Sequence, residues 1–443
     1  MSSPDGASLP SQVRRRDLSL DLVRVTCLLV VVAAHVCFVA IREAPDGGMQ
    51  NWTPPQELPF FAPGTWFIQP MPLFFVVGGC VSCLAWRSAQ RRGDSAWAFF
   101  RLRLIRFAQP AAALFAILGV VFGLCVLVGV PLDLANSASY GVGTPTWFMG
   151  AYLLCQAALP LMVRAHRARP LLTLVVLALG AVAVDVLRGL SGLDIVGLAN
   201  YLFVWPFAQQ LGIWLAEGRW SLAEGRITSR SVRPWLLVGW AVATAATGLV
   251  ASLAPYGADL LQNQIPPTTP LVTMAVAHTC LYLAVRPLLQ RLVQRRWVLA
   301  VLAVIGTRAM TIYLWHAVVV IAIAAGFFFV PGLPHAPSPA WWLTRVPVFL
   351  VVLAVVWAIS LPLVRFERGP DPATLAEAET VRSRVIIAVA GLMAVVPPFL
   401  TTIPDGEGRL RGLDLWTLLA GAVLLVVAVA LLRLGRRTAR GSG

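Results

Sequence analysis

The sequence predicts an all-α fold, a polytopic integral membrane helical bundle with about twelve transmembrane helices. Three observations predict it. Hydrophobic residues make up 58% of the 443 residues and charged residues only 12%, about half of the roughly 25% usual in soluble chains, and the mean hydropathy is +0.77. Apolar runs of about 20 residues, the length that crosses a hydrocarbon core, recur along the chain. The arginines between those runs alternate strongly by side. A water-soluble fold of this length could not hide so much apolar side chain. Soluble enzymes, disordered scaffolds and secreted disulfide modules are excluded.

In order, the runs cover about 18–40, 66–86, 108–130, 146–163, 170–187, 196–216, 235–254, 268–285, 307–330, 343–364, 385–403 and 413–432. The stretch from Trp297 to Val330 is too long for one span. Gly306 divides it, leaving 298–305 as an interfacial lead-in. The runs beginning at 146 and 170 are short, with Pro160 and Pro170 marking irregular ends. The first run is too long and too charged for a cleaved signal peptide.

The arginines test this map. With the amino terminus in the cytoplasm, Arg14–Arg16, the connections at 87–106, 164–169, 217–234, 286–297 and 365–384, and the tail after Leu432 hold 28 of the 35 arginines inside. Arg42, Arg188, Arg345, Arg409 and Arg411 fall outside, and Arg24 and Arg308 lie within spans. This is the positive-inside bias, and it puts both termini in the cytoplasm. It also accounts for the net charge of +15, to which lysine contributes nothing because the chain has none. No nucleic-acid partner is expected, and the membrane lipids are the natural company of these side chains. The seven cysteines sit in apolar runs. Cys80 and Cys83 have CxxC spacing, but no loop completes a metal site around them, so they read as small buried hydrophobes and no metal is expected.

Charge inside hydrocarbon is expensive and marks candidate function. The first span carries Asp21, Arg24 and His35. Arg24 and His35 are eleven residues apart, three helical turns plus about 20°, so they share one face about 16 Å apart along the axis. Asp21 joins that face at the i,i+3 position. Arg101, Arg103 and Arg106 cluster against the start of the third span. They suit a polyanionic ligand, since arginine pairs bidentately with phosphate, although topology and anionic lipid heads would also explain them. His316 lies midway through the ninth span behind Tyr313 and Trp315. His166 and His335 read as solvated, His278 as a helix–helix hydrogen-bonding residue, and Asp185 as reaching water near a span end.

Taken together, these features resemble the membrane acyltransferase-3 family, the ten-span O-acyltransferases. Arg24 and His35 match its Arg-x10-His pattern. Pro72-Leu73-Phe74-Phe75-Val76-Val77-Gly78-Gly79 resembles its Pro-x-Phe-Phe-x-x-Ser-Gly stretch, with Gly78 where serine is usual. Arg101 and Arg103 match its Arg-x-Arg motif, and Trp147-Phe148-Met149 its Trp-Phe-Leu signature. Tyr313-Leu314-Trp315-His316 resembles its Tyr-x-x-His stretch. Arg365-Phe366-Glu367-Arg368-Gly369-Pro370 resembles its Glu-(basic)-Pro ending with Gly369 inserted. On this basis residues 1–16 form a cytoplasmic lead and 17–370 the acyltransferase domain. Residues 371–443 add two spans, which have no counterpart in the family core, and a cytoplasmic tail.

The resemblance implies an integral membrane enzyme, and the absence of lysine with abundant alanine, arginine and valine suggests a GC-rich bacterial source and so a bacterial cytoplasmic membrane. It would move an acyl group, usually acetyl, from a cytoplasmic acyl-CoA to a hydroxyl of a cell-envelope sugar, lipid or secondary metabolite. No permanently bound cofactor is implied. Arg101, Arg103 and Arg106 would hold the donor's phosphates. His35 would act as general base on the acceptor hydroxyl, with a transient acyl-imidazole as a variant. Arg24 would orient Asp21, steady the donor or stabilise the oxyanion. His316, Tyr313 and Trp147 would contact the acceptor or relay a proton, and Glu367 would anchor the end of the tenth span. The competing class is a twelve-span secondary transporter of an amphiphilic or anionic solute. Such a carrier would show repeated halves around a midplane site, and here the charge stripe is concentrated in the first span.

Overall fold

The computed structural model describes residues 17–43, 49–218, 221–253, 256–367, 380–400 and 414–434. Asp17 opens the first helix, α1 (Leu18–Phe38), as its N-cap. A short antiparallel hairpin follows, β1 (Ala40–Glu43) with β2 (Met49–Trp52), in which Ala40 pairs with Trp52. The chain continues through α2 (Phe61–Ile68), α3 (Met71–Arg91), α4 (Ala96–Leu127), α5 (Leu132–Gly143), α6 (Trp147–Ala168) and α7 (Pro170–Ser191). Next come α8 (Val204–Ala216), α9 (Arg233–Ser252), α10 (Pro270–Leu292), α11 (Arg296–Gly306) and α12 (Ala309–Phe329). The last helices are α13 (Pro339–Leu343), α14 (Arg345–Glu367), α15 (Val381–Leu400) and α16 (Leu415–Leu434).

Among the described residues, 11 helical stretches are long and apolar enough to cross a membrane. They correspond to every predicted run except 196–216. That run is broken into a 3-10 helix over Asp194–Leu202 and the 13-residue α8. Pro206 has no N–H to donate back to Leu202, so the α-helix can only start afresh at Val204. Asn200, in the 3-10 segment, donates its amide to Asp185 at 2.7 Å. Asp185 does not reach water: it is buried, and it also accepts from the Tyr256 hydroxyl at 2.9 Å and from the N–H and hydroxyl of Thr269 at 2.8 and 2.6 Å. The lead-in expected at 298–305 is α11, whose one buried residue is Val298. Pro160 lies inside α6 rather than at an end, whereas Pro170 occupies the first turn of α7, where its missing N–H costs nothing. His166 is buried rather than solvated, its Nδ1 2.9 Å from the Gln210 amide.

The largest departure from the run map is α4. The apolar run begins near residue 108, yet the helix starts twelve residues earlier, where the Ser95 side chain caps it by accepting from the Ala98 N–H at 3.1 Å. Its 32 residues span about 48 Å at 1.5 Å per residue, well beyond the hydrocarbon core. Arg101, Arg103 and Arg106 therefore lie on a helix, not in a loop. Helical spacing puts Arg101 and Arg103 about 200° apart and Arg103 and Arg106 about 60° apart.

Two close approaches organise the bundle. Helices α3 and α8 cross through glycines: a Cβ on Gly79 would meet the Gln209 Cα at 2.9 Å, and one on Gly212 would meet the Cys80 amide nitrogen at 2.6 Å. Only glycine permits that separation. Helix α16 lies along α4, with Gly421 against Phe115, and α15 lies on α6, with Gly150 against Phe399. The two C-terminal helices thus cover the core and do not trail from it.

Helix α1 is pinned at both ends by arginines from other helices. Arg286 of α10 binds the Asp17 carboxylate with Nη2 and Nε at 2.6 and 3.1 Å, while the Ser19 hydroxyl donates to Asp17 at 2.6 Å. At the far end Arg345 donates to the Val36 carbonyl at 3.2 Å and stacks 3.8 Å from the Trp341 ring. Burial raises the Asp17 pKa, but hydrogen bonds from Ser19 and Arg286 outweigh it and hold the carboxyl below its ordinary 3.8. A carboxyl depressed on folding contributes stability that is present above its unfolded value and lost as pH falls through the folded one. Asp17→Asn is therefore expected to cost about 2 kcal/mol at neutral pH. In melts of detergent-solubilised protein, the wild-type advantage over the variant should shrink below pH 4 and not above pH 5.

Candidate active site

A cavity of about 560 Å³ opens between α1, α4, α6, α11 and α12. Its polar rim carries Asp21 and Arg24 from α1, Arg103 and Arg106 from α4, and Glu367 from the end of α14. Its apolar wall includes Phe74, Phe107, Phe148 and Tyr152. Along α1 the lining runs from Leu18 to Val31, about 20 Å of helix. Asp21 and Arg24 of the charge stripe face this space.

Each rim group has an identifiable support. Arg24 Nη1 lies 4.0 Å from the Asp21 carboxylate, and its guanidinium sits 6.0 Å from the Phe74 ring. Its Nε is buried with no hydrogen-bond partner among the described residues. Arg103 packs 5.2 Å from the Phe99 ring. Glu367 reaches the start of α12 and accepts from the Thr311 N–H at 2.6 Å and from the Thr311 hydroxyl. A carboxylate on the first turn of another helix satisfies an orphan N–H and complements the helix dipole. Glu367 thus anchors the end of its span by capping α12, and Arg368–Pro370 of the same motif lie outside the described residues.

At the inner end of the cavity stand Val31 and Tyr313, and directly behind them two histidines meet. The His35 and His316 rings are 4.9 Å apart between centroids and nearly perpendicular at 79°. His35 Nδ1 is 2.8 Å from the Val31 carbonyl, and His316 Nδ1 is 2.5 Å from the Tyr313 carbonyl. A carbonyl can only accept, so each Nδ1 carries the proton and each Nε2 is left as the basic nitrogen. His316 Nε2 is buried without a hydrogen-bond partner among the described residues. The two residues that close the cavity are the two that orient the imidazoles. Tyr313 is itself fixed: its hydroxyl donates to the Pro145 carbonyl, just before α6.

The sequence profile of an acyltransferase domain matches residues 17–361. The chain belongs to the membrane acyltransferase-3 family. No curated protein and no solved structure matches the chain. The matched region covers α1 to most of α14 and leaves α15 and α16 outside it. Membership favours acyl transfer over the carrier reading.

Seven of the nine expected site residues of this acyltransferase come together: Asp21, Arg24, Arg103, Arg106 and Tyr313 line the cavity, and His35 and His316 stand behind its inner wall. His316, expected only as a secondary contact, touches His35 directly. Arg101 and Trp147 are elsewhere. Arg101 is buried on the opposite side of α4, where Nη2 donates to the Leu432 carbonyl of α16 at 2.7 Å. The i,i+2 spacing forces this separation. Trp147 is buried in the core and stacks on Trp205 at 5.4 Å; its neighbour Phe148 reaches the cavity in its place. Tyr152, which the sequence motifs do not include, lies i,i+4 from Phe148 on α6 and joins it on the cavity wall, a spacing readable in the sequence. Gly78 lies behind Tyr152, and a Cβ there would meet its ring at an ordinary 3.7 Å, so packing does not demand the glycine. Among the described residues, no group of three His, Cys, Asp or Glu could hold a metal. His278 is buried and its Nδ1 has no hydrogen-bond partner among the described residues.

Arg101→Ala should therefore behave as a stability variant, losing about 2 kcal/mol through the orphaned carbonyl and the vacated packing. Arg103→Ala, which removes a cavity-facing group, should stay within about 1 kcal/mol of wild type. Chemical or thermal unfolding of both variants in one detergent checks the contrast.

Proposed function

We propose that this acyltransferase moves an acyl group, acetyl in the simplest case, from acyl-CoA to a hydroxyl of a cell-envelope sugar, lipid or secondary metabolite, in a bacterial plasma membrane with both termini cytoplasmic. The observation that carries the reading is the histidine pair held by the two residues that close an arginine-rimmed cavity. Coenzyme A separates its phosphates from its thioester by a long arm. The cavity separates cationic groups from basic nitrogens in the same way, about 16 Å apart between Arg24 and His35.

In this reading the donor enters at the arginine-rich, cytoplasmic end. Arg103 and Arg106 take its phosphates by charge-assisted hydrogen bonds, and the unpartnered Nε of Arg24 turns toward the same anion or toward the thioester oxygen. The apolar wall of Phe107, Phe148 and Tyr152 excludes water along the arm, which strengthens every electrostatic contact within. The acceptor hydroxyl reaches His35 Nε2 and gives up its proton as its oxygen attacks the thioester carbonyl carbon. A tetrahedral oxyanion forms, which a nearby guanidinium stabilises. The carbon–sulfur bond then breaks, the His35 imidazolium returns the proton to the departing thiolate, and the ester leaves with the acceptor. The His35 Nδ1–H bond to Val31 keeps the ring in the productive tautomer throughout. His316, in contact with it, positions the hydroxyl or passes the proton.

Thiol release from acetyl-CoA by protein in lipid nanodiscs, with a hydroxyl acceptor supplied, tests this. His35→Ala should lower turnover by at least 10²-fold, with CoA binding unchanged. Arg103→Ala and Arg106→Ala should instead raise KM for acyl-CoA about tenfold each, the effect of one charge-assisted contact. Wild-type turnover in His35→Ala would remove the base from the mechanism. Unchanged KM in both arginine variants would remove the donor from the cavity.

A further inference from the structure

A second concavity, unrelated to the one above, lies on the membrane-facing side of the bundle. It is a groove of about 990 Å³ between the α3–α4 connection, α6 and α15. Its walls are apolar: Trp86, Trp97 and Phe100 on one side, Leu154 and Leu161 of α6 on another, and Leu392 of α15 on the third. Leu161 and Leu392 are 69% and 67% exposed, so the groove opens to the surroundings of the bundle and not to its core. One wall is α15, which lies beyond the region the family profile matches.

The groove has one polar end. Gln90, Asp94, Ser95, Arg164 and Arg167 lie there. Gln90 and Arg167 continue into an adjoining hollow with Arg87 and Arg91. The charges do not cancel. Asp94 is taken by Arg92 at 2.7 Å, and Glu217 is taken by Arg167 at 2.6 Å with Arg87 at 3.9 Å. Arg164 is exposed and has neither a hydrogen bond nor an ion pair among the described residues. Among the described residues, four guanidiniums, those of Arg87, Arg91, Arg164 and Arg167, therefore face this end against the one carboxylate of Glu217.

The dimensions complete the argument. On α6 the lining ends in Arg164 and Arg167, and its apolar part extends from Leu153 to Val163, which is about 15 Å of helix. The hydrocarbon core is about 30 Å thick, so this is the depth of one leaflet. An apolar trough one leaflet deep that ends in excess positive charge matches a two-part ligand: a fatty chain and an anionic phosphate head. We infer that this groove is a specific site for an anionic phospholipid of the bilayer, its chain along α6 and α15 and its phosphate on Arg164 with Arg91 and Arg167. The bound lipid acts as a wedge that seals α15 against the helices of the acyltransferase domain. The inference does not rest on the acyl-transfer chemistry.

The test is native mass spectrometry of protein released from nanodiscs made of equal phosphatidylglycerol and phosphatidylcholine, beside the same experiment on two variants. Wild type should retain one phosphatidylglycerol in preference to phosphatidylcholine. Arg164→Ala, an exposed position, should reduce that preference at least tenfold. Ala157→Trp, which fills the trough from an exposed position on α6, should lose the retained lipid of either kind. Both variants should keep wild-type helicity and elution volume. Equal retention of the two lipids by wild type, or wild-type retention in either variant, overturns the site. A different anionic amphiphile carried by protein taken directly from its native membrane would overturn the assignment to phospholipid.

Discussion

Hydrocarbon offers no hydrogen bonds, and that constraint places α1 at the centre of the molecule. A helix with Asp21, Arg24 and His35 along one side cannot face lipid without leaving those groups unsatisfied. The chain surrounds it instead: α3, α10, α11, α12 and α14 all pack on α1. Its two ends are held by Arg286 on Asp17 and by Arg345 on the Val36 carbonyl. The cavity is what remains between α1 and its neighbours where their polar groups must meet. The histidine pair arises from the same packing, because α12 brings His316 to the level of His35.

The three arginines at the start of α4 show how one sequence cluster is divided between jobs. A helix turns 100° per residue, so Arg101 cannot share a face with Arg103. One side of α4 looks into the cavity and the other is covered by α16. Arg101 therefore ends buried, on the Leu432 carbonyl, where it satisfies one of the orphan acceptors at a helix C-terminus. Arg103 and Arg106 stay with the cavity. The appended helices and the functional helix are in this way parts of one packing unit: α16 fixes α4 from behind while α4 presents cations in front.

The inner wall of the cavity joins position and chemistry in the same residues. Val31 and Tyr313 contribute surface to the lining and, through their carbonyls, fix the protonated nitrogen of each histidine. A carbonyl is a stronger orienting partner here than in water, since the low local dielectric strengthens the bond and no solvent competes for it. Tyr313 is held by the Pro145 carbonyl, and Pro145 precedes the first turn of α6, so the same contact ties α12 to the helix that supplies Phe148 and Tyr152.

Much of this was readable from the order of residues. Long apolar runs mark where helices lie, and the arginine bias predicts which ends share a side, because both depend on the cost of charge in hydrocarbon and not on which helices touch. Helical periodicity likewise placed Asp21, Arg24 and His35 on one side of α1. The broken sixth run was less visible, for its apolar composition hides a proline that interrupts the hydrogen-bond ladder. The beginning of α4 was missed because a hydropathy run ends where the membrane ends, while a helix ends where its cap is. Tertiary packing alone decided that Arg101 turns to α16, that Trp147 stacks on Trp205, that Glu367 caps α12 and that His316 touches His35. Each of those outcomes depends on which helix lies beside which. Local sequence determines a helix and its faces, and only the assembled bundle determines what each face meets.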